Sequence, residues 1–264
     1  MMSKTQKAIE DFRNGLSLAP AWFMLSWQDI KMRYKRTALG PFWVTISLAI
    51  SIVFMGLLYS KIFNIPLKEY LPYLTAGLVH WSLINMIILE GSTIFSGNEA
   101  IIRQVNIPLS FHIFRMLSRN ILIWLHNVIV LVLVYLIFGK TFNLNILWIF
   151  ATLPILCTFG LGLSILIGTL STRYRDLQQI IASLTQLLFF ITPIMWLPSV
   201  LKGKEWLLSY NIFYYYLAAL RMPFDGINIF TDGILVFAFL ISLITLLFAF
   251  LVFIKFRSKI SYWV

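Results

Sequence analysis

Residues Ile234 to Phe256 read ILVFAFLISLITLLFAFLVFIKF, and Lys255, beside the end, is the one charge in the run. A helix that crosses a bilayer needs about 20 mostly apolar residues, and this run supplies them. Working outward, five further runs meet the same requirement: Pro41 to Phe63, Leu71 to Phe95, Ile121 to Phe138, Ile146 to Leu170 and Leu177 to Leu197. The chain has 264 residues, of which 60% are hydrophobic and 12% charged, against roughly 25% charged in ordinary soluble domains. So few charges cannot cover a water-soluble globule, so the bilayer is much of the solvent. The sequence predicts an all-α integral membrane protein with six transmembrane helices, and it excludes a soluble enzyme.

Six spans put both termini on one side. Sorting the 21 basic residues on that scheme places 15 on the terminal side and leaves Lys61, Lys68, Lys140, Lys202, Lys204 and Arg221 on the other. By the positive-inside rule the terminal side is the cytoplasm. The first 20 residues carry Lys4, Lys7, Glu10, Asp11 and Arg13 without the apolar run of a signal peptide, so no cleaved leader is expected. The net charge of +11 would suggest nucleic acid in a soluble protein; here the basic residues flank apolar runs, so membrane lipid phosphates are the expected counter-ions.

Three connections carry pattern. Before the first span, Phe23, Trp27, Ile30 and Tyr34 recur at helical spacing while Asp29, Arg33 and Arg36 share another face. That arrangement predicts an N-terminal amphipathic interfacial helix, with Pro20 in its first turn and Asp29 paired to Arg33; a plain basic flank is the alternative. Between the second and third spans, Gly97 to Leu109 predicts a short helix ended by Pro108, suited to docking a soluble partner or simply a structured loop. Between the fifth and sixth spans, Ile212 to Leu220 is apolar but too short to cross, which predicts a re-entrant hairpin on the outer side. The rings around it, Trp206, Tyr210 and Tyr214 to Tyr216 among them, also suit a headgroup belt. No repeat or long linker divides the chain, so residues 1–264 read as one membrane domain: 1–40 tail and interfacial helix, 41–256 six-span bundle, 257–264 cytoplasmic tail.

Catalytic and metal chemistry find no support in the spacing. Gly139-Lys140-Thr141 resembles the end of a phosphate-binding loop, but position 134 is Val where that motif needs Gly. His80, His112 and His126 lack metal-ligand spacing, and Cys157 is alone, so neither a metal centre nor a disulfide is expected. Ionisable groups at membrane depth are functional candidates by default, which singles out Glu90 and His126; pairing of Glu90 with Arg119, and hydrogen bonding of His126 and Asn127 across helices, are the structural alternatives. Gly160, Ser164 and Gly168 form a small-residue stripe that admits a close helix neighbour. Pro193 and Pro198 remove backbone donors near the end of the fifth span and hint at a water-filled path beside it.

Taken together, three stretches resemble the permease subunit of bacterial polysaccharide-exporting ABC transporters, the Wzm, KpsM and TagG type. They are Asp29-Ile30-Lys31-Met32-Arg33-Tyr34-Lys35-Arg36-Thr37-Ala38-Leu39-Gly40-Pro41-Phe42-Trp43, similar to that family's interfacial helix and the start of its first span; Asn98 to Pro108, similar to its coupling segment; and Arg173-Tyr174-Arg175-Asp176-Leu177 leading to Thr192-Pro193-Ile194, similar to its fourth-to-fifth span connection and proline-bearing fifth span. The family often carries Asn-Pro after the fifth span, where this chain reads Asn211-Ile212.

The resemblance implies a homodimer of six-span permeases in the bacterial inner membrane, joined to two copies of a separate ATP-binding subunit. ATP and its magnesium would bind that partner, and this chain would carry no cofactor and no ATPase site. The implied task is export of a lipid-linked polysaccharide, O-antigen of lipopolysaccharide or a capsule-like glycan, from cytoplasm to periplasm. On that reading Glu99, Arg103, Arg173, Arg175 and Asp176 transmit ATPase motion; Arg33, Lys35 and Arg36 gather the lipid pyrophosphate; and Tyr59, Phe189, Phe190, Trp196, Tyr214, Tyr215 and Tyr216 offer rings to the glycan. Two other classes stay open, a gradient-driven transporter using Glu90 or His126, and a membrane glycan polymerase using Glu69, Glu205, Asp225 or Asp232.

Overall fold

The computed structural model describes residues 3–33, 35, 40, 42–225 and 233–264, the Glu205 side chain apart, and all regular structure among them is helical. Helix α1 (Lys4–Ser17) starts at a reciprocal cap: Ser3 Oγ accepts from the Gln6 N–H at 3.1 Å and the Gln6 side chain accepts from the Ser3 N–H at 2.8 Å. The chain turns at Leu18 into α2 (Ala19–Arg33), where Pro20 sits in the first turn and its missing N–H leaves no gap. Then follow α3 (Phe42–Ile62), α4 (Leu67–Ser92), α5 (Glu99–Gln104), α6 (Leu109–Ile137), α7 (Ile149–Arg173), α8 (Leu177–Ile191), α9 (Ile212–Arg221) and α10 (Ile234–Trp263).

Among the described residues, five helices are long and apolar enough to cross a membrane: α3, α4, α6, α7 with the 3₁₀ turn Leu144–Trp148 that leads into it, and α10. The chain is therefore a multi-pass membrane protein. Helix α8 differs from its expected extent of Leu177 to Leu197, because it stops at Ile191. Pro193 is the cause: its ring disfavours helical backbone at Thr192, which turns extended at φ −82° and ψ 138°. At 1.5 Å per residue the 15 residues of α8 reach only about 22 Å, short of the ~30 Å hydrocarbon core. Helix α6 differs in the other direction, starting at Leu109 rather than near Ile121, so that Arg115 and Arg119 ride on an extension of the span.

Helix α4 is the axis of the bundle: 17 of its 26 residues are buried, against 4 of 21 in α3 and 1 of 15 in α8. Lipid tails are as apolar as leucine, so helices in a bilayer associate through close packing rather than through expulsion of water. The small stripe on α7 serves that end. A Cβ on Gly91 of α4 would stand 2.6 Å from Ser164 Oγ, and one on Gly168 would stand 2.9 Å from the Gly91 carbonyl oxygen. These positions let α4 and α7 touch almost backbone to backbone. Asn127 of α6 ties three helices, its amide donating to Ser82 Oγ at 3.2 Å and accepting from Thr45 Oγ1 at 3.4 Å.

Candidate functional site

At the end of the bundle that carries α1 and α2, five charged side chains form one network. Asp29 on α2 accepts from Arg115 Nε at 2.9 Å and from Arg119 Nη1 at 2.9 Å, both on α6. Arg119 Nη2 donates to Glu90 of α4 at 2.8 Å, and Arg33 of α2 lies 3.7 Å from the other Glu90 oxygen. Ser26 Oγ, 2.7 Å from both the Trp22 and Arg115 carbonyl oxygens, adds a contact one turn earlier. The Asp29 side chain is about four-fifths buried. Burial alone would raise its pKa, but the hydrogen bonds and charges of Arg115 and Arg119 outweigh that and hold it below the ordinary 3.8. Three guanidinium groups against two carboxylates leave one positive charge on the network.

This geometry changes one expectation and meets another. Asp29 pairs across to α6 rather than with Arg33 one turn along, because α2 lies against α6 with Ser26 and Ile30 inward. Phe23, Met24 and Trp27 consequently face away from the bundle. Glu90 does pair with Arg119, so its charge is already answered by two cations. Lys35 is exposed, and Arg36 lies outside the described residues together with Tyr34. His126 hydrogen-bonds within its own helix, Nδ1 lying 2.7 Å from the Leu122 carbonyl oxygen, while its ring meets the Phe42 ring of α3 edge-on at 5.7 Å.

The two short connections at this end meet. Gln178, at the start of α8, donates to Ser96 Oγ at 2.9 Å, just ahead of α5. On α5, Glu99 and Arg103 form an exposed pair at 3.0 Å one turn apart, and Arg103 also donates to the Val264 carbonyl. Arg175 and Asp176 are exposed on the α7–α8 connection, and Arg173 lies between the rings of Tyr174 and Trp263 at 5.1 and 5.4 Å.

A residue that the sequence reading did not single out organises the same surface. Asp11 is 2% exposed, and its carboxylate accepts from the Leu109 and Ser110 backbone N–H groups at 3.1 and 3.0 Å and from Arg257 Nε at 2.7 Å. Helix α6 begins after Pro108, which has no side-chain cap to offer, so a carboxylate from α1 completes the helix start where the dipole favours negative charge. That uncapped proline start was the available signal. Beside Asp11 lies a polar cleft of about 580 Å³ bounded by α1, the 106–108 turn and Arg257.

The opposite end is built around the turn after α8. Its carbonyls cannot join a helix, and side chains satisfy them: Tyr70 donates to Met195 at 2.7 Å, Tyr73 to Trp196 at 2.9 Å, and Arg221 of α9 to Pro193 at 2.9 Å. Arg221 is buried with its guanidinium carbon 4.1 Å from the Tyr73 ring centroid. Gly77 makes room, since a Cβ there would stand 2.3 Å from Arg221 Nη2 and 2.5 Å from the Ile194 carbonyl oxygen. Asn211, where the resembling family often has Asn-Pro, caps α9 through the Phe213 N–H at 3.0 Å and donates to Thr192 Oγ1 at 2.8 Å. A cavity of about 470 Å³ opens here, lined among others by Glu69, Tyr73, Tyr135, Lys140 and Asp225.

The rings named as glycan contacts fall in different surroundings. Tyr216 is 1% exposed, stacked on Phe159 at 4.4 Å and hydrogen-bonded with Ser242 at 2.8 Å, so it belongs to the core rather than to an open path. Tyr59 is half-buried and stacked on Phe63 at 5.8 Å. Tyr215 leans on Phe237 at 5.4 Å, and Tyr214 is half-buried beside it. Phe189 packs on Trp81 at 6.0 Å, Trp196 donates to the Phe190 carbonyl at 2.9 Å, and Phe190 itself is 57% exposed. Along α8, Gln179, Ser183 and Gln186 are exposed at helical spacing on a mostly apolar helix.

The sequence profile of ABC-2 type transporters matches residues 20–224, which takes in nearly all of α2 and then α3 to α9. The chain belongs to the ABC-2 type transporter family. Among its relatives are two O-antigen export system permease proteins. One, from Klebsiella pneumoniae, is 25% identical over 188 residues, covering 70% of this chain and 72% of its own length. Another, from Myxococcus xanthus, is 21% identical over 182 residues, 67% of this chain and 68% of its own. Membership of the ABC-2 family makes this chain the membrane permease of an ABC transporter, working with an ATP-binding partner.

Proposed function

We propose that the chain forms the membrane path of an ATP-driven exporter of lipid-linked polysaccharide, as a homodimer joined to two separate ATP-binding subunits in the bacterial inner membrane. The whole chain acts as a single membrane domain, with α8 and the turn after it serving as the sixth crossing and α9 dipping back from the outer side. The excess of Lys and Arg at the α1 end orients that end, and both termini, to the cytoplasm. ATP and magnesium bind the partner, and this chain supplies transport without hydrolysis.

One observation carries the reading. Gln179, Ser183 and Gln186 face outward from α8, and polar groups exposed to hydrocarbon are costly, so this face needs water or protein beside it. A second copy placed against α3 and α8, the least covered long elements, supplies both: protein contact at the rim and a wet path along the polar stripe. Phe190, Trp196 and Tyr214 at its outer part, with Tyr59, Phe189 and Tyr215 behind them, offer rings on which sugar C–H faces pack while hydroxyls keep their water. At the inner surface Arg33, Lys35 and Arg36 on and after α2 attract the pyrophosphate of the lipid carrier. Glu99, Arg103, Arg175 and Asp176, with Arg173 supporting them, receive the motion of the ATP-binding subunit.

The test is export of a lipid-linked glycan into vesicles containing the purified chain, with and without the ATP-binding subunit. Transport that needs both proteins and hydrolysis is expected. Movement or extension of glycan by this chain alone would replace the reading with a gradient-driven carrier or a polymerase. Within the assembled exporter, replacing Arg33, Lys35 and Arg36 together by Gln is expected to cut export while the complex still forms; unchanged export removes the pyrophosphate role.

A further inference from the structure

Away from the α3–α8 face, helices α7 and α10 leave a slot of about 190 Å³ between their C-terminal halves, lined by Leu166, Leu170, Phe248, Val252, Phe256 and Trp263 and almost wholly apolar. The rim is cationic. Arg173 stands at the mouth against the Trp263 ring at 5.4 Å, while Lys255 and Lys259, one turn apart, lie 5.4 and 5.8 Å from the ring of Phe256. The ion pairs among the described residues engage Arg33, Arg103, Arg115, Arg119 and Arg257, and none engages these three cations. An apolar slot with Arg173 in its lining and Lys255 and Lys259 beside the ring of Phe256, which also lines it, complements an amphiphile with an anionic head.

We propose that this slot holds one acyl chain of an anionic phospholipid, with the headgroup phosphate seated on Arg173, Lys255 and Lys259. The walls are mostly aliphatic and aromatic, with Thr169 and Tyr174 also bearing polar groups beside Arg173, which suits an acyl chain better than a glycan. Basic pockets between spanning helices on the cytoplasmic side bind acidic headgroups in this way. Naming the inner leaflet rests on the orientation proposed above, whereas binding itself does not, so the two ideas fail separately.

Trp263 is a built-in reporter because bromine on an acyl chain quenches indole fluorescence on contact. The full chain is placed in nanodiscs of phosphatidylcholine with increasing phosphatidylglycerol brominated on its chains, and the signal absent from Trp263→Phe is taken as the slot's. Saturable quenching at low phosphatidylglycerol fraction is expected. Replacing Arg173, Lys255 and Lys259 by Gln is expected to weaken it by about a hundredfold, at roughly fivefold per basic residue. Val252→Phe, which fills the slot and keeps every cation, is expected to abolish the quenching with helicity unchanged. Equal quenching by brominated phosphatidylcholine, or indifference to the triple replacement, would mean ordinary surrounding lipid and overturn the proposal. So would loss of the signal when the ATP-binding subunit is added or when two copies share a disc, since the cations would then belong to a protein interface.

Discussion

Replacing Asp29 by Ala removes the carboxylate that pairs α2 directly with α6. Asp29 accepts charge-assisted hydrogen bonds from Arg115 and from Arg119, and breaking a fully buried pair costs about 3 to 5 kcal/mol, while an exposed pair contributes about 0 to 1. These side chains are about one-fifth exposed, which places the loss between those limits at about 2 kcal/mol. That is roughly a 30-fold shift between docked and undocked α2 at about 1.4 kcal/mol per decade. Amide hydrogen exchange of the chain in nanodiscs reads it directly: residues 19–33 are expected to exchange about 30-fold faster in Asp29→Ala, with α4 and α7 unchanged. Because the folded pKa of Asp29 lies below 3.8, its stabilising contribution is complete above the unfolded value and lost as pH falls through the folded one. Lowering the pH from 7 to 5 therefore leaves α2 protection in the wild type unaltered. Exchange within threefold of wild type in Asp29→Ala, or full additivity with Arg115→Ala in a double-mutant cycle, would refute the reasoning.

Three other perturbations reach separate parts of the structure. Asp11→Ala strips the cap from α6 and the partner from Arg257, and is expected to cost about 2 kcal/mol in denaturant unfolding of the purified chain; a change under about 0.5 kcal/mol contradicts the capping role. Gly91→Ala drives a methyl toward Ser164 and is expected to cost about 1 to 3 kcal/mol by overpacking, with Ser164→Ala recovering part of it in the same unfolding assay. Glu99→Arg combined with Arg103→Glu keeps the pair within α5 but reverses the charges it presents, so ATPase stimulation by the permease is expected to fall; normal stimulation and normal export in that variant rule out docking through these residues.

How much of this was legible in the sequence depended on range. Runs such as Ile234 to Phe256 announce themselves because length and composition alone decide whether a helix suits a bilayer. The pairing of Glu90 with Arg119 was also within reach, since a carboxylate near the end of a span needs a nearby cation and few were available. The partner of Asp29 was not: local spacing offered Arg33, and only the packing of α2 on α6 brings Arg115 and Arg119 closer. For the same reason α6 was read too short, its charged first turns resembling a loop until acids from α1, α2 and α4 answer them. Tyr216 shows the limit for rings: the same Tyr-Tyr-Tyr run sends two half out and one fully in, because a ten-residue helix has a face toward α7 and α10 that sequence alone does not mark.

The two ends of the bundle are held by different chemistry, and the difference bears on what each can do. Near α1 the ties are mostly ion pairs between side chains, joined by the Asp11 carboxylate on the Leu109 and Ser110 N–H groups. Around Pro193 the ties run from Tyr70, Tyr73 and Arg221 to backbone carbonyls of one turn, with Tyr73 and Arg221 sharing the Pro193 carbonyl, so the turn is held as a unit. Helix α8 connects these two regimes and has a single buried residue, Thr185. Gln178 links the start of α8 to the segment before α5. On the function proposed above, a push on α5 from the ATP-binding subunit would reach through that link to α8, whose one buried residue along its length leaves it free to respond while the turn after it stays anchored.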